Sequence, residues 1–238
     1  MFHDTALQTF GLFNIGDDAK LTYALSLGKG AGISSIKGKK NEYYAYIAYE
    51  NFFHKGDIMD TQSLKTFAWY QQGKRNFPTA LQNENWFDRV RMGAGITYNK
   101  DNLRAGMEFV KAQGSILHGV VDMNTNPLVN TWNLQYAANN SQKADGGSFD
   151  IGYKVIPRLT LLTRYDYLNM LTNSNTFKKK FQNTTFGVSY EIKGVNRIDI
   201  NYVKRDIKTS NAQFQPILNS IDDIFSVRFT FMFNSKMM

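Results

Sequence analysis

The last well-patterned stretch of the chain, residues 222–233, reads DDIFSVRFTFMF and alternates between two kinds of side chain. Successive side chains of a β-strand point to opposite faces, so this stretch has one polar face and one apolar, mostly aromatic face. The polar positions are Ser226, Arg228 and Thr230, and the apolar positions are Phe225, Val227, Phe229, Phe231 and Phe233. The apolar face needs a cover, which is either a protein core or the hydrocarbon of a membrane.

Hydropathy distinguishes two kinds of membrane protein. The 238-residue chain has a mean hydropathy of −0.40 and no run near the roughly 18 apolar residues that a membrane helix needs. A transmembrane β-barrel avoids that requirement, because only alternate residues of each strand meet lipid. The composition therefore excludes a helical membrane protein and leaves a barrel open.

The formal net charge of +8 is compatible with nucleic acid, an anionic surface or an anionic solute as a partner. The nearest approach to a basic block is Lys178-Lys179-Lys180, which we interpret as a solvated loop. We therefore expect no nucleic-acid binding. The absence of cysteine fits a protein that crosses an oxidising periplasm.

About eleven segments have the pattern of strands, in one domain that covers residues 1–238. Alternation is clear in residues 21–27, 90–98, 103–109, 149–155, 159–167, 186–192, 198–202 and 222–233. Three further segments are strand-like, but their inward faces cannot be assigned from the pattern: Thr5 to Asn14, Glu42 to Phe53 and Leu64 to Gln72.

The connections alternate between short turns and long polar loops. Short turns are expected at residues 99–102, 156–158 and 193–196, and long loops at 28–40, 73–84 and 113–147. Strands of about ten residues tilted by about 45° span roughly 25 Å, the height of the apolar band of an outer-membrane barrel. The pattern predicts an all-β fold, an antiparallel transmembrane β-barrel of the bacterial outer membrane.

An odd number of strands does not close an ordinary up-and-down antiparallel barrel, and Met1-Phe2-His3-Asp4 does not open a secretory signal. We therefore expect this sequence to be the C-terminal part of a longer porin, without its signal peptide and first strands. On this hypothesis the first strand has an open edge with unpaired backbone groups. Coding sequence upstream of Met1 would test it.

Several stretches resemble the phosphate-selective porin O/P family of Gram-negative outer membranes. They cover about half of the chain: FGLFNIGDDAKLTYALSLGKGAG, LRAGMEFVKAQG, GYKVIPRLTLLTRYDYLN, TTFGVSYEIKGVNRIDINYV and the terminal strand. The third stretch contains Arg164-Tyr165-Asp166. The terminal strand alternates aromatic residues as the last strand of outer-membrane barrels does. The resemblance implies a sixteen-stranded, trimeric porin that passes phosphate or other anions.

The chain departs from the family's pattern in three ways. Lys29-Gly30 stands where the family usually has Asn-Gly, and Asn234 to Met238 follow the terminal Phe. We expect the beginning of the family's barrel to be missing from this sequence, including the loop whose lysines carry anion selectivity in the family. No binding residue of the family is therefore carried over to this chain.

Neither catalysis nor a cofactor is expected. The chain has three histidines, His3, His54 and His118, and none forms a pattern typical of a triad or of a metal site. We interpret Asp17-Asp18 and Asp222-Asp223 as carboxylates of turns and strand entries. Gly93 and Gly95 do not form a phosphate loop and are expected to relieve crowding on the inward face.

Basic residues on the inward faces are the candidate functional set, and all of them oppose apolar faces: Arg89, Arg91, Arg104, Lys154, Arg164, Arg197 and Arg228. One interpretation is an anion path with Arg164 and Arg228 as its strongest candidates. The other is a rigid wall in which these residues pair with Glu108, Asp150, Asp166, Glu191 and Asp199.

The leading functional hypothesis is passive diffusion of small hydrophilic solutes through a porin that prefers phosphate-like anions. Its expected partners are outer-membrane lipid, small anionic solutes and two further copies of the chain in a homotrimer. The alternatives are a non-conducting barrel with an adhesive or structural role, and a soluble β-sandwich that acts as a binding module.

Overall fold

The computed structural model describes residues 6–29, 40–55, 61–76, 86–114, 116–120, 134–137, 142–175, 178–193, 196–210, 219 and 221–231. Several sequence expectations concern residues outside these ranges: His3, Gly30, Gly194, Val195, Phe233 and Asn234 to Met238. Within them the predicted all-β, antiparallel fold is confirmed. Eleven strands form one sheet, and two shorter strands form a second sheet.

The strands are β1 (Ala6–Ile15), β2 (Ala19–Lys29), β3 (Asn41–His54), β4 (Gln62–Asn76), β5 (Trp86–Lys100), β6 (Leu103–Gln113), β7 (Ile116–Val120), β8 (Leu134–Ala137), β9 (Lys143–Ile156), β10 (Leu159–Met170), β11 (Lys179–Lys193), β12 (Asn196–Thr209) and β13 (Ile224–Thr230). Most are longer than ordinary globular strands. Among the described residues, no helix is long and apolar enough to cross a membrane.

Strands of the large sheet pair in chain order, β1 through β6 and then β9 through β13, and every pair is antiparallel. Successive connections therefore lie at opposite edges of the sheet. We call one the turn edge, with connections 16–18, 55–61, 101–102, 157–158 and 194–195. The other is the loop edge, with connections 30–40, 77–85, 114–142, 171–178 and 210–223.

The register assigns every strand residue to one of two faces, because directly paired residues of antiparallel strands share a face. On one face, Asp150 is opposite both Gly106 and Arg164, and Arg164 is opposite Thr185. We call this the polar face. On the other, Phe149 is opposite both Met107 and Tyr165. We call this the apolar face.

Most of the exposed large apolar side chains lie on the apolar face. In β11, Phe186 is 53% exposed and Tyr190 43%, while the alternate residue Gly187 is buried and Ser189 is half-buried. On the polar face of β12, Asp199 is only 4% exposed. A sheet of a water-soluble protein shows the reverse order, with apolar residues inside and polar residues outside.

Three predicted loops are shorter than expected, which corrects the sequence analysis. β4 continues to Asn76, β9 already begins at Lys143, and the interval 113–147 also holds β7 and β8. Lys179 and Lys180 are the first residues of β11 rather than loop residues. The physical reason is that backbone hydrogen bonds extend a ladder whatever the side chains, so polar ends of strands escape a search for apolar alternation.

The glycines of β5 make room for aromatic rings, as expected. A Cβ on Gly93 would come within 2.6 Å of the Trp69 indole, and one on Gly95 within 2.5 Å of the Phe67 ring. Both rings lie across the β4–β5 ladder on the polar face. Small residues at these positions therefore let two large aromatic side chains lie flat against the sheet.

Candidate functional site

The register places all of the predicted basic residues on the polar face. Each is directly opposite another residue of that face: Arg89 opposite Gly73, Arg91 opposite Gln71, Arg104 opposite Gly152, Lys154 opposite Thr160, Arg164 opposite Asp150, Arg197 opposite Glu191, and Arg228 opposite Asp199. Period-two alternation was sufficient to find this shared face, because it is a local property of each strand.

The structure does not gather these residues into one cluster. Arg89 and Arg91 lie toward the loop edge, and Arg164 lies in the middle of β10. Arg104 and Arg197 lie one residue inside their strands at the turn edge. The basic residues are therefore spread over the whole height of the polar face.

Asp199 is the centre of the best-connected group on this face. Its carboxylate accepts a hydrogen bond from the Ser189 hydroxyl at 2.7 Å, from Arg228 Nη2 at 3.1 Å, and is 3.2 Å from Arg197 Nε. The carboxylate is buried, whereas the two guanidinium-bearing side chains are about half exposed or more. One carboxylate thus serves two arginines, and the group keeps a net positive charge.

Arg164 is paired within its own strand. Its Nε and Nη2 atoms both lie 2.7 Å from Oδ1 of Asp166, two residues further along β10 on the same face. Side chains at i and i+2 of a strand are neighbours on one face, so this pair is fixed by local sequence. The pairing neutralises one of the two strongest candidates for an anion path.

The arginines toward the loop edge also have partners. Arg89 Nη1 lies 3.2 Å from Oε1 of Glu42, and Gln71 donates a hydrogen bond to the same carboxylate oxygen. Arg91 Nη1 donates to the backbone carbonyls of Gln113 and Gly114 at 2.9 and 3.0 Å. Arg91 therefore ties the end of β6 to β5.

Lys154 and Arg104 lie on the polar face near the turn edge and are held less firmly. Lys154 Nζ is 4.0 Å from Oε1 of Glu191, at the limit of an ion pair, and both side chains are exposed to water. Arg104 is exposed and has no ion pair or side-chain hydrogen bond within the described part of the chain. It is the predicted site residue most available to a solute.

The carboxylates expected to pair with these basic residues divide into two groups. Asp166, Glu191 and Asp199 do so. Glu108 instead accepts a hydrogen bond from the indole nitrogen of Trp69 at 3.1 Å, and Asp150 lies over Gly106, where the missing Cβ leaves it room.

Sequence reasoning missed a second group near the turn edge, in β2, β3 and β4. Lys20 Nζ lies 2.9 Å from Oε2 of Glu50, whose other oxygen accepts a hydrogen bond from Ser63 at 2.7 Å. Lys20 also lies over the Phe52 ring. The alternation of β3 is masked by aromatic residues on both faces, so the carboxylates of its polar face could not be identified from the sequence.

Basic residues outnumber acidic ones on the polar face. Among strand residues with described side chains, the basic set is Lys20, Lys65, Arg89, Arg91, Arg104, Lys154, Arg164, Lys179, Arg197, Arg205 and Arg228, and the acidic set is Glu42, Glu50, Glu108, Asp150, Asp166, Glu191 and Asp199. The face therefore has a positive balance even though most of its arginines are paired.

No group of three or more potential metal ligands occurs among the described residues. No protein-family model matches the chain, and comparisons with curated proteins and with solved structures also found no match.

Proposed function

We propose that this chain forms the wall of an outer-membrane β-barrel whose polar face lines a passive, anion-preferring pore. The observation that carries the proposal is the inverted polarity of the sheet. Large apolar side chains are exposed on one face, and the buried polar ones, Asp199 and Ser63, lie on the other. In a barrel wall, lipid would cover the apolar side chains of one face, and water would solvate the polar side chains of the other.

The free-energy cost of placing an arginine in lipid restricts where the arginines can lie. An arginine facing lipid at mid-membrane costs about 2–4 kcal/mol, and the cost falls toward zero near the interfaces. Arg164 lies in the middle of its strand on the polar face, while its neighbours Thr163 and Tyr165 lie on the apolar face. The opposite orientation would expose the guanidinium to hydrocarbon and the tyrosine to the lumen.

The height of the apolar band also supports the proposal. In β11 the apolar face is continuous from Phe186 to Ile192, and in β9 from Phe149 to Val155. Each interval covers six residue steps, roughly 20 Å along the strand. The apolar face of β5 is continuous from Val90 to Tyr98, which is eight steps or roughly 26 Å, and about 20 Å after a tilt near 40°. Tyr202 and Tyr165 are directly opposite Phe186 and Phe149, so they add aromatic residues at the loop-edge end of the band, where the aromatic girdle of a barrel lies.

Anion preference rests on the positive balance of the polar face. Arg104, exposed near the turn edge, and the two arginines that share Asp199 present planar donors suited to phosphate or carboxylate. The ion pairs support the alternative role as well, since paired arginines stiffen a barrel wall. Both roles are compatible in one barrel, with unpaired charge setting the selectivity.

The two outermost strands of the large sheet are β1 and β13, each of which pairs with one neighbour among the described strands. A pore requires the sheet to close between β1 and β13. We propose that further strands of a longer, sixteen-stranded trimeric porin complete the barrel there. Phe10 and Leu12 lie on the polar face of β1 and are 76% and 63% exposed. Side chains of the further strands would cover them.

A soluble binding module is the less favoured alternative. It would need a second layer over the apolar face, where Phe149, Phe186 and Phe229 are each about half exposed or more. The second sheet that the structure describes has only two short strands, β7 and β8, which are too few to cover an eleven-stranded sheet. Continuous exposed apolar surface of this extent is typical of an interface with lipid or protein.

The proposal is tested by refolding the chain, with any upstream strands, into detergent and then into planar bilayers. A barrel should require detergent and should migrate differently on gels before and after boiling. Reversal potentials in a salt gradient should indicate anion preference, and Arg104→Gln should move them toward cations. A detergent-free soluble monomer would refute the barrel. A folded barrel without conductance would favour the adhesive or structural role.

A further inference from the structure

Lysines interrupt the apolar face where β11 and β12 approach the loop edge. Along β12 the residues of this face are Ile198, Ile200 and Tyr202, followed by Lys204, Asp206 and Lys208. The residues of β11 directly opposite Tyr202, Lys204, Asp206 and Lys208 are, in that order, Phe186, Thr184, Gln182 and Lys180. We call Lys180, Lys204 and Lys208 the lysine cluster.

Two members of the lysine cluster face each other directly. Lys180 is the cross-strand partner of Lys208, and both side chains are exposed. Like charges directly opposite each other destabilise a sheet. Asp206 lies 2.9 Å from Lys208, and Asp223, which accepts a hydrogen bond from Tyr202, interacts with Lys204. Two carboxylates thus accompany three ammonium groups, and a net positive charge remains. The arrangement therefore favours an additional anion next to the sheet.

The cluster continues without interruption into the apolar surface. Lys204 is opposite Thr184, the next pair on this face is Tyr202 with Phe186, and the following pair is Ile200 with Val188. Cations at one end and apolar side chains along the same two strands match a ligand with an anionic head and a hydrocarbon tail. A free anion would use only the first part of this surface.

We propose that the lysine cluster binds the phosphomonoester headgroup of a membrane lipid whose acyl chain lies along Tyr202, Phe186 and Val188. This inference rests on the proposed function, because it requires the apolar face to contact lipid. The ammonium groups serve as point charges for phosphate oxygens. The cluster would thus fix the loop edge at the headgroup level of one leaflet.

The test uses the full chain folded in dodecyl maltoside micelles and counts bound lipid by native mass spectrometry during titration with phosphatidic acid. Each basic residue near an anionic lipid surface contributes about fivefold in affinity, so Lys180→Gln with Lys208→Gln should weaken binding about thirtyfold. The control double variant, Lys55→Gln with Lys100→Gln, removes the same charge near the turn edge and should leave binding within about twofold.

Phosphatidylcholine and inorganic phosphate provide the other two arms. Binding of phosphatidic acid well above both, and lost only in the first double variant, supports the inference. Equal binding of phosphatidylcholine, or equal loss in the control variant, overturns it while leaving a folded barrel in place. If inorganic phosphate competes fully with phosphatidic acid, the ligand is a free anion and not a lipid, and the inference is overturned as well. A chain that stays soluble without detergent refutes the proposed function itself.

Discussion

Asp199→Asn is the substitution whose effect follows most directly from the structure. It keeps the shape of a nearly buried side chain and removes the charge that Arg197 and Arg228 share. A hydrogen bond to a charged group contributes about 1.5–3 kcal/mol, and two such bonds are weakened. Both arginines remain accessible to water, which screens much of that loss. We expect a net destabilisation of about 2 kcal/mol.

The assay is urea unfolding of the refolded chain in detergent micelles, followed by the fluorescence of its three tryptophans. Asp150→Asn is the matched control, because Asp150 lies on the same face and forms no hydrogen bond or ion pair in the described part of the chain. It should cost less than about 0.5 kcal/mol. Equal losses for the two variants would show that the pairing around Asp199 contributes nothing specific.

Three further predictions concern other parts of the sheet. Arg104→Gln should shift the reversal potential toward cations more than Arg164→Gln, because Asp166 already neutralises Arg164 at 2.7 Å; equal shifts would contradict this. Gly95→Ala should lower the free energy of unfolding in urea by about 1–3 kcal/mol, because the new Cβ would lie 2.7 Å from the Met107 carbonyl oxygen. An unchanged urea midpoint would refute this close approach. The Tyr202 hydroxyl and the Arg205 amide, which donates at 2.9 Å, hold the pKa of Asp223 below its ordinary value. Its stabilising contribution should therefore be complete above the ordinary carboxyl pKa and disappear as the pH falls through the lowered one, so the urea midpoints of wild type and Asp223→Asn should converge at low pH.

The sequence was sufficient to predict the two faces of most strands, because side-chain alternation is local and the terminal strand or β9 shows it without interruption. It failed at β3, where Tyr44 and Tyr46 lie on the polar face and Tyr43 and Tyr49 on the apolar one. Aromatic residues on both faces leave no polarity difference to detect.

Pairing between strands was only partly predictable. Arg164 with Asp166 follows from two positions of one strand, and the rigid-wall interpretation of the sequence already included Asp166 as a partner. Arg228 with Asp199 joins residues 29 positions apart and depends on the register of β12 with β13. Alternation excludes a shift of one residue but not of two, and the connection between β12 and β13, residues 210–223, is too long to fix the register as a tight turn would.

A cysteine scan of β11 can show which face of the sheet meets lipid and which meets water, since the chain has no native cysteine. Single cysteines would replace residues 186–192 in turn, in protein reconstituted into lipid vesicles. We expect alternation: cysteines at 187, 189 and 191 should react with a water-soluble maleimide, whereas probes attached at 186, 188, 190 and 192 should be quenched by brominated lipid. Uniform reactivity, or the opposite alternation, would contradict an apolar face in contact with lipid.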